Sequence, residues 1–284
     1  GLVCGSPMME NWRSSNCHYS IASARVPLKC WSQPTPREPM LNNPENPLSS
    51  AEAGRRRRWL DRWPVEAEVL LALSATAAGI LLFLLIGGTV INGGFRGLDE
   101  ALLLALRNPA DVSDPVGPLW FEELVRDMTA LGSTAVLTLL VIAVSGFLYL
   151  TGRTRKAVGV LVWSAAGTAL SHLSKLGFAR PRPELVPHAA EVFTPSFPSG
   201  HAMLSAVIYL TLGAMIATAQ DDRRTKFYVR AFAIMLTLLV GSSRVYLGVH
   251  WPSDVLAGWA LGAAWACLGW LVFRRMEPRN NRVQ

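Results

Sequence analysis

Long uncharged stretches alternate with short clusters of charged residues along most of this chain of 284 residues. At about 1.5 Å per residue, six of the stretches are long enough to cross a ~30 Å hydrocarbon core as helices. They are residues 69–91, 129–150, 157–174, 199–219, 231–249 and 255–273. Helices are the expected form, because unpaired backbone groups are too costly in lipid. The pattern therefore predicts an all-α, polytopic membrane protein with a core of six transmembrane helices.

The connection between the first two stretches is longer than a simple turn, and part of it has a helical amphipathic pattern. Apolar residues recur at helical spacing opposite charged ones: Leu98, Leu102, Leu103 and Leu106 against Asp99, Glu100 and Arg107. This pattern is typical of an amphipathic helix on the outer membrane surface, and equally of an ordinary packed connector helix. We predict a helix here, with both interpretations open.

Composition agrees with a membrane protein. Hydrophobic residues make up 51% of the chain and charged residues 17%, with a mean hydropathy of +0.28. Soluble domains carry about 25% charged residues, so this composition argues against a cytosolic globule, and the apolar content argues against a disordered chain. The four cysteines form no Cys-x-x-Cys pair and no cluster with histidines at metal-ligand spacing, so we expect no structural zinc.

The net charge of +7 is interpreted as membrane topology. When the connections are numbered alternately, the basic clusters at residues 55–62, 153–156, 223–230 and 274–282 fall on one side. Such loops stay cytoplasmic, so both termini are expected inside. The cations do not gather with stacking aromatic residues on one soluble face, so no nucleic-acid partner is expected.

The domain organisation follows from the same pattern. Residues 1–64 are predicted to be a disordered, basic cytoplasmic tail. A fragment, a tag remnant or an over-extended translation start would each explain a chain that begins at Gly1. Residues 65–275 are predicted to form the six-span domain, followed by a cytoplasmic tail over 276–284.

Several ionisable residues stand where a membrane span should avoid them, and all lie on the side opposite the basic clusters. Lys175 follows the third stretch, Arg182 comes in the next loop, and Arg244 lies inside the fifth stretch. His201 and His250 share that side. A charge in such a position is costly unless it is compensated, so each of these residues is a candidate for function.

The residue types indicate an anion site. Two guanidinium groups and an ammonium suit a dianion, and the arginine fork matches phosphate oxygens. Ser199 and Gly200 at a predicted helix start offer backbone N–H groups and the positive end of the helix dipole. Gly200 also lets the backbone come close to a ligand. We therefore predict a phosphate site.

The histidines supply chemistry for phosphoryl transfer. His250 and Asp254 are four residues apart, so on a helical turn the carboxylate would accept a hydrogen bond from one ring nitrogen and leave the other free to attack phosphorus. His201 would protonate the leaving oxygen and then activate water. The scheme needs no metal, and these segments contain no carboxylate cluster to hold one.

The three segments resemble the tripartite signature of the type 2 phosphatidic acid phosphatase superfamily, which includes lipid phosphate phosphatases and vanadium haloperoxidases. The matching positions are Lys175, Arg182 and Pro183; Pro198, Ser199, Gly200 and His201; and Ser243, Arg244, His250 and Asp254. The resemblance extends over roughly residues 65–275. It implies a six-helix core, catalytic His250, His201 and Asp254, and no cofactor. It also implies phosphate binding by Lys175, Arg182, Ser199, Gly200 and Arg244.

The leading hypothesis is metal-independent hydrolysis of a lipid phosphate or lipid pyrophosphate through a phosphohistidine, at the outer membrane surface. Phosphatidic acid, phosphatidylglycerol phosphate and undecaprenyl pyrophosphate all fit one anion site. A lipid phosphotransferase using the same intermediate, and a non-enzymatic anion transporter, are the alternatives. We expect a multi-pass protein of a bacterial inner membrane whose site faces the periplasm or exterior. Its partners are the bilayer and a lipid phosphate, and no oligomeric state is predicted.

Overall fold

The computed structural model describes residues 63–183 and 195–276, and side chains from residue 67 onwards. The predicted tails, 1–64 and 276–284, lie outside the described residues except at their inner ends. Helices dominate the described part: α1 Trp63–Ile91, α2 Arg96–Leu104, α3 Leu119–Ala130, α4 Thr134–Leu150, α5 Thr154–Leu176, α6 Gly200–Thr218, α7 Arg223–Tyr246 and α8 Pro252–Arg275. A short antiparallel hairpin follows α2 and consists of β1 Arg107–Asn108 and β2 Asp111–Pro115.

Within the described residues, five helices are long and apolar enough to cross a membrane: α1, α5, α6, α7 and α8. Helices α3 and α4 form a sixth span if the pair, bent by 50°, is counted as one. The all-α, multi-pass architecture is thus confirmed. The prediction of one helix from residue 129 is wrong at its start, because the chain bends at Gly132 and Ser133. The Ser133 side chain caps α4 by accepting from the backbone N–H of Val136 at 3.3 Å.

Apolar side chains cover much of the outer surface. On α1, for example, Leu70 is 64% exposed, Leu71 69% and Leu84 59%. A soluble protein rarely exposes an apolar surface this continuous, whereas lipid tails cover it without cost. This surface is the expected lipid-facing side of a membrane protein.

The helices run between two distinct ends of the bundle. At one end the start of α1 lies beside the end of α8, where the Arg274 guanidinium is 3.6 Å from the Glu68 carboxylate. At the other end α6 begins beside the start of α8, because the N–H of Ser199 donates to the carbonyl of Asp254 at 3.0 Å. The ends of α5 and α7 lie there too, so the three signature segments meet at one end.

The predicted connector helix exists as α2, but its buried face differs from the prediction. Asp99, expected on the polar face, is only 1% exposed, whereas Leu98 is 57% and Leu102 46% exposed. Arg107 lies in β1 and is 5% exposed, with its Nη2 donating to the carbonyl of Tyr246 at 2.7 Å. Ion pairing and hydrogen bonding with distant residues decide this face, and the amphipathic pattern of the helix cannot show them.

The break between α7 and α8 also differs from the prediction. The fifth stretch was expected to run to residue 249, but α7 begins earlier, at Arg223, and ends at Tyr246. Gly248 adopts φ +70°, which ends the helix, and Pro252 starts α8 at a position where it needs no N–H partner. His250 therefore lies in a turn, and Asp254 lies in the first turn of the next helix.

Close packing of α6 against α8 depends on the absence of a side chain at Gly262. A Cβ at this position would lie 2.6 Å from the carbonyl oxygen of Met203 and 2.6 Å from the Cβ of Ala206. Both distances are below normal contact, so the close approach of the two helices at this point requires glycine at residue 262. This approach holds the start of α6 against α8.

We predict that Gly262→Ala lowers the free energy of unfolding by about 1–3 kcal/mol, because the added methyl group forces α6 away from α8. The matched control is Gly146→Ala on α4, where a Cβ meets nothing within 4 Å. That substitution should be neutral or stabilise by up to ~1 kcal/mol through helix propensity. Thermal unfolding of the purified variants in detergent measures both effects, and equal stability of the two variants would contradict the packing argument.

Candidate active site

His250 and Asp254 lie close together, as predicted, at the end of the bundle where the three signature segments meet. They do not share one helix. Nδ1 of His250 lies 3.6 Å from Oδ2 of Asp254, and the two residues are 2% and 0% exposed. Burial lowers the pKa of the His250 imidazole to about 4, although Asp254 raises it, so the ring is neutral at pH 7. The imidazole is thus an uncharged base next to a carboxylate.

The hydrogen bonds around His250 fix its tautomer. Nη1 of Arg182 lies 3.3 Å from Nε2 of His250 and also donates to the carbonyl of Val249 at 2.8 Å. A guanidinium group can only donate, so Nε2 must accept and the ring proton must sit on Nδ1, facing Asp254. The lone pair of Nε2 therefore points towards the arginine, away from the carboxylate.

The carboxylate of Asp254 is held by several donors. Oδ2 accepts from the hydroxyl of Ser196 and from the backbone N–H of Trp251, the latter at 3.0 Å. Ser196 is fully buried, and its hydroxyl is also 3.4 Å from Nδ1 of His250. Ser196 lies outside the signature and is not among the predicted site residues. Its position three residues before Ser199, in the same segment, was the only available signal.

Aromatic packing positions the segment that contains Ser196 and Ser199. Phe197 is fully buried, with its ring centroid 4.5 Å from that of Phe178 and 5.8 Å from that of Phe83 on α1. These contacts join the segment before α6 to the loop after α5. Two of the three signature segments are therefore held together by apolar contacts beneath the polar site.

The predicted cations gather around this pair. Lys175 lies in the last turn of α5, and its Nζ donates to the carbonyl of Pro195 at 2.9 Å. A Cβ on Gly200 would be 3.7 Å from Cε of Lys175, so this side chain reaches the start of α6. Lys175 lies within electrostatic range of Arg182, Arg244 and Asp254. The structure thus brings the predicted phosphate-binding cations together.

Two buried donors at the site have no hydrogen-bond partner among the described residues. They are the hydroxyl of Ser199, which is fully buried, and Nε of Arg244, whose Nη1 donates to the hydroxyl of Thr129 at 3.1 Å. Ser199 precedes α6 without capping it through its side chain. Unpaired buried donors cost about 1–3 kcal/mol each, and an anion would satisfy them.

His201 lies in the first turn of α6, on the same side as His250, and the two imidazoles are within electrostatic range of each other. The ring of His201 packs against the bend between α3 and α4. A Cβ on Gly132 at this bend would be 3.3 Å from Cδ2 of His201 and 2.2 Å from a methyl of Val240. Glycine at residue 132 therefore makes room chiefly for Val240, and it also lies in close contact with the His201 ring.

Arg180 and Asp99 are polar contacts of the site that the sequence did not predict. Arg180 lies outside the signature, and its guanidinium binds Asp254, Asp99 and the hydroxyl of Ser253. Its place in the Arg-Pro-Arg-Pro sequence, two residues before Arg182, could have indicated a role at the site. The sequence did not indicate such a role for Asp99, because two adjacent acidic residues, Asp99 and Glu100, are typical of a solvent-exposed helix face.

A pocket of about 400 Å³ opens beside the site, between α1, α2 and the loops that carry Arg182 and Trp251. Its wall combines cations, including Arg182 and Arg180, with the apolar side chains of Val90 and Phe95. Such a lining suits a molecule with a charged end and an apolar end. In the described ranges 63–183 and 195–276, no group of three or more His, Cys, Asp and Glu side chains is placed to hold a metal ion.

The arrangement can bind a phosphoryl group and expose it to a neutral imidazole. Cations and unpaired donors surround the place where phosphate oxygens would lie, and one imidazole is oriented by a carboxylate while a second lies nearby. Fold and site together define a multi-pass membrane protein with a candidate anion site at one end of the bundle.

Comparison with known proteins agrees with this class. Residues 156–277 match the sequence model of the PAP2 superfamily. Phosphatidylglycerophosphatase B of Bacillus subtilis is 29% identical over 186 residues, which cover 64% of this chain and 86% of that protein. The undecaprenyl-diphosphatase of Sulfolobus acidocaldarius is 34% identical over 146 residues, covering 49% of this chain and 64% of that protein.

A solved structure gives the same result. The crystal structure of a transmembrane PAP2-type phosphatidylglycerolphosphate phosphatase from Bacillus subtilis is similar with a TM-score of 0.62 and 26% identity. The similarity covers 72% of this chain and 98% of that chain. The chain is thus similar to the PAP2 superfamily in sequence over residues 156–277, and its fold resembles that of a PAP2-type phosphatase.

We predict that Arg244→Gln weakens the binding of orthovanadate, a phosphate analogue, by about 10–100-fold, the expected effect of losing a charged hydrogen bond. Ser199→Ala should weaken it by about 3–10-fold, because a neutral donor is lost. Calorimetric titration of the purified protein in detergent measures both. Arg126→Gln is the control, because this exposed arginine pairs only with its neighbour Glu122 in α3 and should bind vanadate normally. Wild-type affinity of Arg244→Gln would remove Arg244 from the anion site.

Proposed function

We propose that this membrane phosphatase hydrolyses a lipid phosphate or lipid pyrophosphate through a phosphohistidine at His250, without a metal ion. One observation carries the proposal: a buried neutral imidazole, backed by a carboxylate, faces a group of cations and unpaired donors. Two relatives are named phosphatidylglycerophosphatase B and undecaprenyl-diphosphatase, which supports the substrate class.

The phosphate oxygens would accept from two donors that have no partner among the described residues, the hydroxyl of Ser199 and Nε of Arg244. They would also accept from the ammonium of Lys175, which has further protons beyond the one it donates to Pro195. Arg182 would turn its N–H from Nε2 of His250 to a phosphate oxygen and so release the lone pair of that nitrogen. The first N–H groups of α6, at Gly200 and His201, add the positive end of a helix dipole.

In the first chemical step, Nε2 of His250 attacks phosphorus and the bond from phosphorus to the leaving oxygen breaks. The leaving oxygen takes a proton from His201, so the lipid departs as an alcohol, or as a lipid monophosphate if the substrate is a pyrophosphate. The proton on Nδ1 stays on the ring, where Asp254 stabilises the positive charge that develops. The cations stabilise the charge on the transferred oxygens.

In the second step, His201, now neutral, removes a proton from water while the water oxygen attacks phosphorus. The bond between phosphorus and Nε2 breaks, inorganic phosphate leaves and His201 regains its proton. The two histidines therefore have complementary roles, because one forms the covalent bond and the other moves protons in both directions.

The position of the site supports a lipid substrate. The pocket beside Arg182 contains both cations and apolar side chains, and exposed leucines of α1 continue from it along the bundle. A lipid headgroup would reach the site while its apolar chain stays in the bilayer. Phosphatidylglycerol phosphate and undecaprenyl pyrophosphate, to judge from the names of the relatives, are the first substrates to assay.

We predict that the phosphoryl group can be trapped on His250. His201→Ala lacks the proton donor and base, but a prenyl pyrophosphate has a better leaving group than a lipid alkoxide, so labelling should proceed faster than hydrolysis. With substrate labelled by ³²P in its terminal phosphate, this variant should accumulate acid-labile, alkali-stable radioactivity on the protein. Its steady-state kcat should fall by about 10²–10⁴-fold.

His250→Ala is the control for this labelling and should show neither label nor turnover. Every assay contains EDTA, and wild-type turnover should equal that measured without chelator. Label retained in His250→Ala would remove His250 from the role of nucleophile, and loss of wild-type turnover in EDTA would overturn the metal-free mechanism. Turnover that rises when an alcohol is added, with the alcohol phosphorylated, would identify a phosphotransferase.

We further propose that the site faces the periplasm or exterior. The end of the bundle opposite the site carries the basic clusters around Arg153, Arg223 and Arg274, and such clusters are retained in the cytoplasm. A site on the outer face would act on lipids of the outer leaflet.

Cysteine labelling tests this orientation. In a background in which the four native cysteines are replaced by serine, Val112→Cys in the hairpin β1–β2 should react with a membrane-impermeant maleimide in spheroplasts. Thr151→Cys, between α4 and α5, should react only after permeabilisation. The reverse pattern would place the site on the cytoplasmic face.

A further inference from the structure

The two carboxylate oxygens of Asp254 contact different partners. Oδ2 lies on the side of His250, where Ser196 and the N–H of Trp251 also donate to it. Oδ1 lies on the opposite side, 2.5 Å from Nη1 of Arg180. Rotation of the carboxylate about its bond to Cβ would break contacts on both sides at once. The pair of contacts therefore fixes the oxygen that faces Nδ1 of His250.

Arg180 is itself held in a fixed orientation by a second carboxylate. Its Nη2 donates to Oδ2 of Asp99 at 2.6 Å, and its Nη1 also donates to the hydroxyl of Ser253 at 2.8 Å. Asp99 accepts in addition from the N–H and the hydroxyl of Ser253, at 2.9 and 2.6 Å. The side chain of Arg180 is 14% exposed, and those of Asp99 and Asp254 are 2% and 0% exposed. The group connects α2, the loop after α5 and the first turn of α8.

The charges of this group explain why two acids can be buried side by side. One guanidinium lies between the two carboxylates and satisfies both, which a planar fork with several donors does better than an ammonium. The group keeps one net negative charge next to His250. That charge favours the positive imidazole ring that forms when Nε2 bonds to phosphorus.

We propose that Arg180 is a positioning residue for the phosphoryl transfer. Together with Asp99 it holds the carboxylate of Asp254 so that Oδ2 stays on Nδ1 of His250 while Nε2 attacks phosphorus. This inference rests on the proposed function, since it assumes that His250 is the nucleophile. It adds to the site a residue outside the signature, and through Asp99 it makes the surface helix α2 part of the catalytic structure.

The test is chemical rescue of Arg180→Ala. Because the residue lies at the wall of the pocket of about 400 Å³, guanidinium ions can diffuse into the space left by its side chain. Without rescue, kcat should fall by about 10–100-fold, the usual effect of removing a residue that orients a catalytic side chain. KM should change by less than about threefold. Guanidinium chloride at millimolar concentration should restore a large part of kcat, and urea, which is uncharged and of similar shape, should not.

Two further variants separate positioning from folding. Arg180→Lys keeps the charge without the fork and should have a kcat between those of the wild type and Arg180→Ala. Asp99→Asn keeps its shape and should lower kcat by about 3–10-fold with KM unchanged, because Arg180 loses its second anchor. Arg126→Ala, which breaks the exposed pair with Glu122, is the matched control and should leave kcat unchanged.

The outcomes distinguish this inference from the proposed function. A raised KM with unchanged kcat in Arg180→Ala would make Arg180 a substrate contact and overturn the positioning role. If Arg180→Ala does not fold, an unchanged kcat in Asp99→Asn would overturn it. Equal rescue by urea, or a rate of ³²P labelling of His250 equal to that of the wild type, would also overturn it. Absence of label in the wild-type protein itself would instead contradict the phosphohistidine mechanism.

Discussion

The carboxylate of Asp254 is fully buried, and most polar contacts at this end of the bundle compensate for its negative charge. Burying an ionised carboxylate costs several kcal/mol unless hydrogen bonds and an opposite charge compensate for it. Here Ser196, Arg180 and the N–H of Trp251 supply both. These donors come from three separate parts of the chain. The contacts that stabilise this charge therefore also hold these three parts of the chain together at the site.

The membrane explains why this assembly is confined to one end. The middle of the bundle must present apolar side chains to lipid, and it packs by close helix contact, as where Gly262 of α8 meets Met203 of α6. Charged groups are tolerated only near the helix ends. Lys175 ends α5, Arg244 lies in the last turn of α7, and His201 and Asp254 lie in the first turns of α6 and α8. The helix ends thus bring reactive groups together while the helix middles stay apolar.

The sequence predicted those parts of the structure that depend on local pattern. Apolar length predicted the spans, and the odd placement of Lys175 and Arg244 indicated a site. Asp99 was assigned to the wrong face, because its burial depends on Arg180, which is 81 residues away in the chain. The break between α7 and α8 was expected to begin after residue 249, but α7 already ends at Tyr246 and α8 begins at Pro252, after the positive φ of Gly248. The pattern of apolar and polar residues therefore could not predict long-range ion pairs or the exact ends of helices.

The balance of charge at the site agrees with the proposed substrate. Among the residues that the structure describes, four cations gather there, Lys175, Arg180, Arg182 and Arg244, together with two carboxylates, Asp99 and Asp254. The cations exceed the carboxylates by two charges, which matches the two negative charges of an ionised phosphate monoester. Arg180 pairs with both carboxylates, whereas under the proposed function Lys175, Arg182 and Arg244 would contact the ligand. Substituting Arg180 would therefore upset the charge around Asp254 and leave the proposed phosphate-binding groups in place. For this reason kcat and KM should respond differently to substitutions of Arg180 and of Arg244.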